Sequence, residues 1–129
     1  NLRVVNTRHS VQNLGLRLEA GSPTKVFCYS GDGMFTPTAS KLYTNADLLV
    51  HDAYTMDGTV KNFRKEVITI GTKTHCSMQQ LERLDDMARP KKMALIHVNR
   101  NLRKNRNEVL KKYKQRRWIM PEPGDVINL

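Results

Sequence analysis

The chain opens with three short runs rich in aliphatic and β-branched residues, Leu2–Thr7, Leu14–Glu19 and Lys25–Tyr29. The last two are joined by Ala20-Gly21-Ser22-Pro23-Thr24, whose glycine and proline mark a turn, so the pattern predicts an antiparallel hairpin. Two further apolar runs, Leu48-Leu49-Val50 and Met93-Ala94-Leu95-Ile96, read as buried strands. The first stops at His51-Asp52 and the second at His97, as strands do when they deliver polar side chains to a site. Between them, Ser77-Met78-Gln79-Gln80 has the spacing of a capping box, and Met78, Leu81, Leu84 and Ala88 recur at helical intervals. A helix over 78–88 is predicted, with Pro90 preventing its continuation. A second helix is predicted over 105–116, burying Val109, Leu110 and Tyr113 and leaving Lys111, Lys112, Lys114 and Arg116 in water. The closing Pro121-Glu122-Pro123-Gly124 reads as a turn before a short final strand. Strands alternating with helices after an antiparallel start predict an α/β layered domain with a mixed sheet.

Composition narrows the class. At 129 residues the chain has the size of one domain, and its 39% hydrophobic content is that of a packed protein. No apolar run approaches the roughly 20 residues needed to span a bilayer, so no membrane partner is expected. Cys28 and Cys76 are too few for a disulfide scaffold and have no C-x-x-C spacing, which predicts a reducing, cytoplasmic setting. There is no initiator Met and the chain starts on a strand-like run, so its start reads as internal. The formal charge of +10 favours a polyanionic partner, and it is unevenly placed. Residues 89–117 hold 12 Lys+Arg and the single acid Glu108, whereas the rest of the chain nets −1.

The four histidines, His9, His51, His75 and His97, all fall at or just beyond a strand end or at the start of a helix. Asp32 lies in Tyr29-Ser30-Gly31-Asp32-Gly33, where glycines allow a left-handed backbone at the end of a strand. Asp32 there is either the acceptor of an Asx-turn or a presented carboxylate. A carboxylate and two imidazoles brought from separate strand ends suit zinc or manganese, and three ligands leave a position for water. Such a site makes hydroxide near neutral pH for attack on a phosphoryl or acyl centre. The alternatives are poorer. His75 and Cys76 are sequence neighbours whose side chains diverge, which disfavours a thiol nucleophile. Gly31-x-Gly33 lacks the third glycine of a dinucleotide loop and the Lys of a phosphate-binding loop. The basic stretch could hold phosphates, with Tyr113 and Trp118 to stack a base, or could be only a solvated face.

Taken in order, His9-Ser10-Val11-Gln12-Asn13-Leu14-Gly15-Leu16-Arg17, Tyr29-Ser30-Gly31-Asp32, Leu48-Leu49-Val50-His51-Asp52-Ala53, His75-Cys76-Ser77 and Leu95-Ile96-His97 resemble the second half of the metallo-β-lactamase superfamily in its ribonuclease Z-like phosphodiesterase branch. The resemblance covers nearly the whole chain. It implies an αββα sandwich of which this chain is the C-terminal half, and two divalent metal ions, zinc or manganese. His9 would complete the first metal site, Asp32 would bridge both ions and His97 would complete the second. His75 would protonate the leaving oxygen, with His51 and Asp52 as the pair that orients it. Arg100, Arg103, Lys104 and Arg106 would hold substrate phosphates beside the cleft.

The resemblance also has gaps. The signature His-x-His-x-Asp-His, which supplies most of both metal sites, is absent, so the N-terminal half is expected on another polypeptide or a removed segment. Asp52 stands where these ribonucleases usually have Glu, Cys76 where they have Ser, and Gly33 where they have Thr. The turn Ala20–Thr24 is short where transfer-RNA-processing members carry a long RNA-gripping insertion. The expected activity is therefore metal-dependent hydrolysis of a nucleic acid or cyclic nucleotide by metal-bound hydroxide, in a homo-oligomer of the complete protein. Two rivals stand beside it: a non-catalytic nucleic-acid-binding or assembly module with a decayed metal site, and an ester, lactone or thioester hydrolase.

Overall fold

The computed structural model describes residues 1–56 and 74–129, together with the backbone of two short strands within 57–73. The elements in chain order are β1 (Leu2–Thr7), β2 (Asn13–Ala20), β3 (Lys25–Tyr29), α1 (Pro37–Leu42), β4 (Leu48–Asp52), β5 (Val60–Lys61), β6 (Val67–Ile68), α2 (Met78–Ala88), β7 (Met93–Ile96), α3 (Arg100–Lys104), α4 (Arg106–Lys112), a 3-10 turn (Lys114–Arg116) and β8 (Trp118–Ile119). Six strands form one mixed sheet in the order β1-β2-β3-β4-β7-β8, and β5 pairs separately with β6. β1, β2 and β3 are antiparallel, and β3, β4, β7 and β8 are parallel neighbours.

The two faces of the sheet differ, because side chains alternate along a strand. Cys28, Leu49, Met93, Leu95 and Trp118 occupy paired positions on one face and pack into a single core with Ala39, Tyr43, Leu81, Leu84, Ala88, Leu102 and Val109 from the helices and their caps. Gly15 belongs to this face. A Cβ there would collide with Tyr43 Oη, so only glycine lets the ring lie against β2. The opposite face carries the paired sets Leu2–Leu18, Val4–Leu16 and Asn6–Leu14, continuing through Phe27, Tyr29, Leu48 and Val50. None of these residues belongs to the core cluster, and Leu2, Val4, Leu14 and Leu18 are 41–62% exposed. The exposure is confined to the outer strands β1 and β2, since Leu48 is buried.

Helix α2 starts and stops where its sequence signals predict. Ser77 and Gln80 close the capping box, and Arg89 ends the helix in a left-handed conformation. Helix α1 was not foreseen, since six residues carry too little periodicity. It forms on a Thr36 N-cap with Pro37 in its first turn. The single helix expected over 105–116 is two pieces, α4 and the 3-10 turn, and the short helix α3 before it was not predicted. Asn99 caps α3, Asn105 leaves helical geometry between α3 and α4, and the last turn tightens into the 3-10 segment. The expected final strand is also displaced: β8 is Trp118–Ile119, before the Pro121–Gly124 turn, and Val126 is 84% exposed with no strand beside it. Trp118 decides this, because it is the aromatic that β7 can pair and bury. No described helix is long and apolar enough to cross a membrane.

Candidate metal centre

The carboxyl ends of β3, β4 and β7 meet at one edge of the sheet, and the loops leaving them carry the polar cluster. The first loop is Ser30–Gly33. Ser30 donates its N–H to the Val50 carbonyl, and its Oγ accepts the Asp52 N–H at 3.1 Å, which fixes β3 to β4 at the cluster. Gly31 is left-handed, and a Cβ on it would lie 2.6 Å from Asn13 Oδ1. Asn13 clamps this loop: its Oδ1 accepts the Asp32 N–H at 3.2 Å, while its Nδ2 donates to Thr7 Oγ1 and to the Ser30 carbonyl. Arg8 and Met34 exchange both backbone hydrogen bonds at 2.9 Å, which sets His9 beside the same loop. Gly33 is required there, since its Cβ would lie 2.6 Å from the Arg8 carbonyl oxygen.

Asp32 is a presented carboxylate. Its Oδ1 is 2.7 Å from His97 Nδ1 and 3.4 Å from His75 Nδ1, and its Oδ2 is 3.8 Å from His9 Nε2. Asp52, fully buried at the end of β4, places Oδ2 2.7 Å from His75 Nδ1 and 3.3 Å from His97 Nδ1. One ligand atom from each of Asp32, Asp52, His75 and His97 lies within 4.8 Å of the others. The His9 ring lies edge-on to that of His75, with centroids 5.1 Å apart. Burial pushes the Asp52 carboxyl above its ordinary range, while hydrogen bonds and charge from His75, then His97, pull it back. Its Oδ1 has no hydrogen-bond partner among the described residues.

His97 sits in a left-handed conformation, φ 52°, which a non-glycine residue adopts at a cost of order 1–3 kcal/mol. Its flanks hold it there. The Ile96 carbonyl accepts the Ala53 N–H at 3.0 Å, and the Tyr54 carbonyl accepts the Asn99 N–H at 3.3 Å. Tyr54, which sequence reasoning missed, stacks on His75 with centroids 4.9 Å apart and lies 5.5 Å from His97. The available signal was its place two residues beyond Asp52 at a strand exit.

His51, unlike His9 at the rim, is turned away from the cluster altogether. Adjacent strand residues face opposite sides of a sheet, so when Asp52 enters the site His51 enters the core. It is fully buried between Phe35 and Tyr43, and its Nδ1 is 2.9 Å from the Asp52 carbonyl oxygen. Burial pushes its pKa down to about 4. Cys76 is equally withdrawn. Burial raises its thiol to about 12, which leaves no thiolate for nucleophilic chemistry.

The basic segment leaves the site directly, because α3 begins three residues after His97. Arg100, Arg103 and Lys104 are exposed, whereas Arg106 is half-buried and donates from Nε to the Met120 carbonyl at 2.8 Å. Tyr113 and Trp118 are buried and stack on each other, centroids 4.7 Å apart, so neither offers a face to a base.

No protein-family model and no curated protein sequence matches the chain. Solved structures do. Human tRNase Z, short form, matches with TM-score 0.61 and 19% identity over 79% of this chain and 38% of its own. The metallo-β-lactamase fold protein YhfI from Bacillus subtilis gives 0.71 and 17% over 96% and 47%, and a long-form RNase Z from yeast gives 0.59 and 19% over 77% and 13%. At these identities the likeness is one of fold, and the chain spans less than half the length of each structure.

Proposed function

We propose that this chain, whose α/β fold is that of the metallo-β-lactamase proteins, supplies one side of a metal-dependent phosphodiesterase site that residues outside the chain complete. The observation that carries this reading is the convergence of Asp32, Asp52, His75 and His97, with His9 at the rim, on the carboxyl ends of three neighbouring strands. Within this group Asp32 and His97, with His9 beside them, are donors that suit zinc or manganese, while Asp52 and His75 pair with each other. The geometry of Asp32 fits a bridging role, since one of its oxygens faces His97 and the other faces His9. Divalent ions held by His9, Asp32 and His97 would supply Lewis acidity, activating water and offsetting charge on the phosphoryl oxygens.

The chain's own residues account for the proton on the leaving group. Asp52 Oδ2 accepts from His75 Nδ1, which leaves Nε2 to face substrate and stabilises the imidazolium that must donate. Tyr54 closes one face of the ring and restricts its tilt. Two of the similar structures are ribonucleases by name, which favours a phosphodiester over a carbon ester, lactone or thioester. Only four residues join β2 to β3, which leaves no RNA-gripping arm at that turn and makes transfer RNA a weaker choice of substrate.

The apolar strip on the uncovered sheet face fits a missing N-terminal half, which would bury Leu2, Val4, Leu14 and Leu18 and bring the remaining ligands. A substrate panel tests the activity in the complete protein. Turnover of a simple phosphodiester such as bis(p-nitrophenyl) phosphate with zinc or manganese supports it. Turnover of carbon esters alone would move the assignment to an esterase, and turnover of neither would favour a binding module.

A further inference from the structure

Nine of the twelve cations of residues 89–117 fall into two groups. Lys91 is paired with Asp47 at 2.8 Å, Arg116 with Asp86 at 2.8 Å and Asp85 at 3.0 Å, and Arg106 is tied to Met120 and faces Glu122. These hold the fold. Arg100, Arg103, Lys104, Lys111, Lys114 and Arg117 are exposed, and among the described residues none of them makes an ion pair. They follow one another along α3, α4 and the 3-10 turn, and the row starts at the candidate centre, where the Asn99 cap of α3 donates its N–H to the Tyr54 carbonyl.

The segment's apolar residues face the other way. Leu102, Val109, Tyr113 and Trp118 are buried in the core, and no large hydrophobic side chain of residues 89–117 is among those left in water. A helix that lies on a membrane needs an exposed apolar face, and this segment lacks one. A platform for unpaired bases needs an exposed aromatic, and the two candidates are stacked on each other in the core. What remains is a succession of exposed, unpaired cations suited to a polyanion, through its phosphates.

We infer that the α3–α4 surface is a track for the phosphate backbone of a polynucleotide, reading charge and spacing rather than base sequence, with the centre at its start. This deepens the proposed function by naming its substrate as a polymer rather than a cyclic nucleotide. As an assignment of a hydrolysed substrate it rests on that reading, but its binding test needs no metal.

The experiment is fluorescence anisotropy of a labelled mixed-sequence RNA oligonucleotide with the complete protein that carries this chain, in EDTA, as salt is raised. Binding that weakens steeply with salt and is equal for mixed and uridine-only RNA is expected. Replacing Arg103, Lys104 and Lys111 together by glutamine is expected to flatten the slope of log affinity against log salt by about two, at about 0.7 for each lost phosphate contact. Lys91→Gln, which removes an already paired cation, is expected to leave the slope unchanged. No RNA binding, a triple variant with the wild-type slope, or Lys91→Gln flattening the slope as much as the triple variant would each overturn the track. So would association with phosphatidylserine vesicles in the absence of RNA binding. Because EDTA removes divalent ions, failure here leaves metal binding untouched, and failure of metal binding or of hydrolysis leaves this result standing.

Discussion

His75 and Asp52 form the shortest side-chain contact of His75, Nδ1 to Oδ2 at 2.7 Å, with the carboxylate buried and the imidazole 15% exposed. An imidazole backed by a buried carboxylate has one nitrogen occupied and one free, the arrangement a general acid needs. His75→Ala is expected to lower phosphodiester turnover by on the order of 10²–10⁴ with little loss of bound metal. Asp52→Asn is expected to cost about 10–100-fold, with a shifted pH profile for turnover. Steady-state kinetics beside metal analysis of each variant checks both. Unchanged turnover in His75→Ala would remove His75 from the mechanism.

Gly15 and Tyr43 give a stability test away from the centre. A methyl group at position 15 would meet Tyr43 Oη, a buried hydroxyl with no partner among the described residues. Gly15→Ala is expected to destabilise the protein by about 1–3 kcal/mol, as overpacking does. Removing the hydroxyl relieves the closest contact, so Gly15→Ala with Tyr43→Phe should cost less than the sum of the single changes. Urea denaturation of the four proteins measures the coupling.

Glu19 ties the outer strands. Hydrogen bonds from Arg17, Arg3 and Asn1 lower its carboxyl from 4.5 to about 2. A depressed acid favours the fold above its unfolded value and loses that contribution as pH falls through its folded one. Stability is therefore expected to decline between pH 4.5 and about 2 in the wild type, and less steeply in Glu19→Gln. Thermal melts across this range decide it.

The uncovered sheet face should behave as a sticky surface when the chain is alone. Val4 and Leu18 are 60% and 41% exposed on adjacent outer strands. The isolated chain is expected to bind an apolar dye such as anilinonaphthalene sulfonate and to associate. Val4→Lys with Leu18→Lys is expected to reduce both, while also weakening recombination with a complementing N-terminal segment. Dye fluorescence and analytical ultracentrifugation read the outcome.

The strands were legible because β1 to β4 and β7 are each carried by their own apolar run, and α2 because its capping box and its periodicity agree. Asp32, His75, His97 and His9 were named from flanking motifs that carry a family resemblance, and the structure brings their side chains together. Where sequence reading failed, tertiary context decided. The resemblance implied His51 and Asp52 as a pair that orients His75, whereas strand register turns only Asp52 toward His75 and sends His51 into the core. Asn13 gave no signal, and Tyr54 only its place at a strand exit, because their roles are contacts made across the fold, with the Asp32 loop and with the His75 ring. The interruption at Asn105 lies between two basic stretches whose charges look continuous in sequence.

The central claim is that the Asp32 cluster binds divalent metal, and the most direct measurement is the metal content of the purified, dialysed protein carrying this chain. Plasma mass spectrometry of the wild type beside Asp32→Ala and His97→Ala is the form it takes. Zinc or manganese retained by the wild type and lost from both variants is the predicted result. Metal absent from the wild type after incubation with zinc and manganese, or retained equally by the variants, would contradict the account.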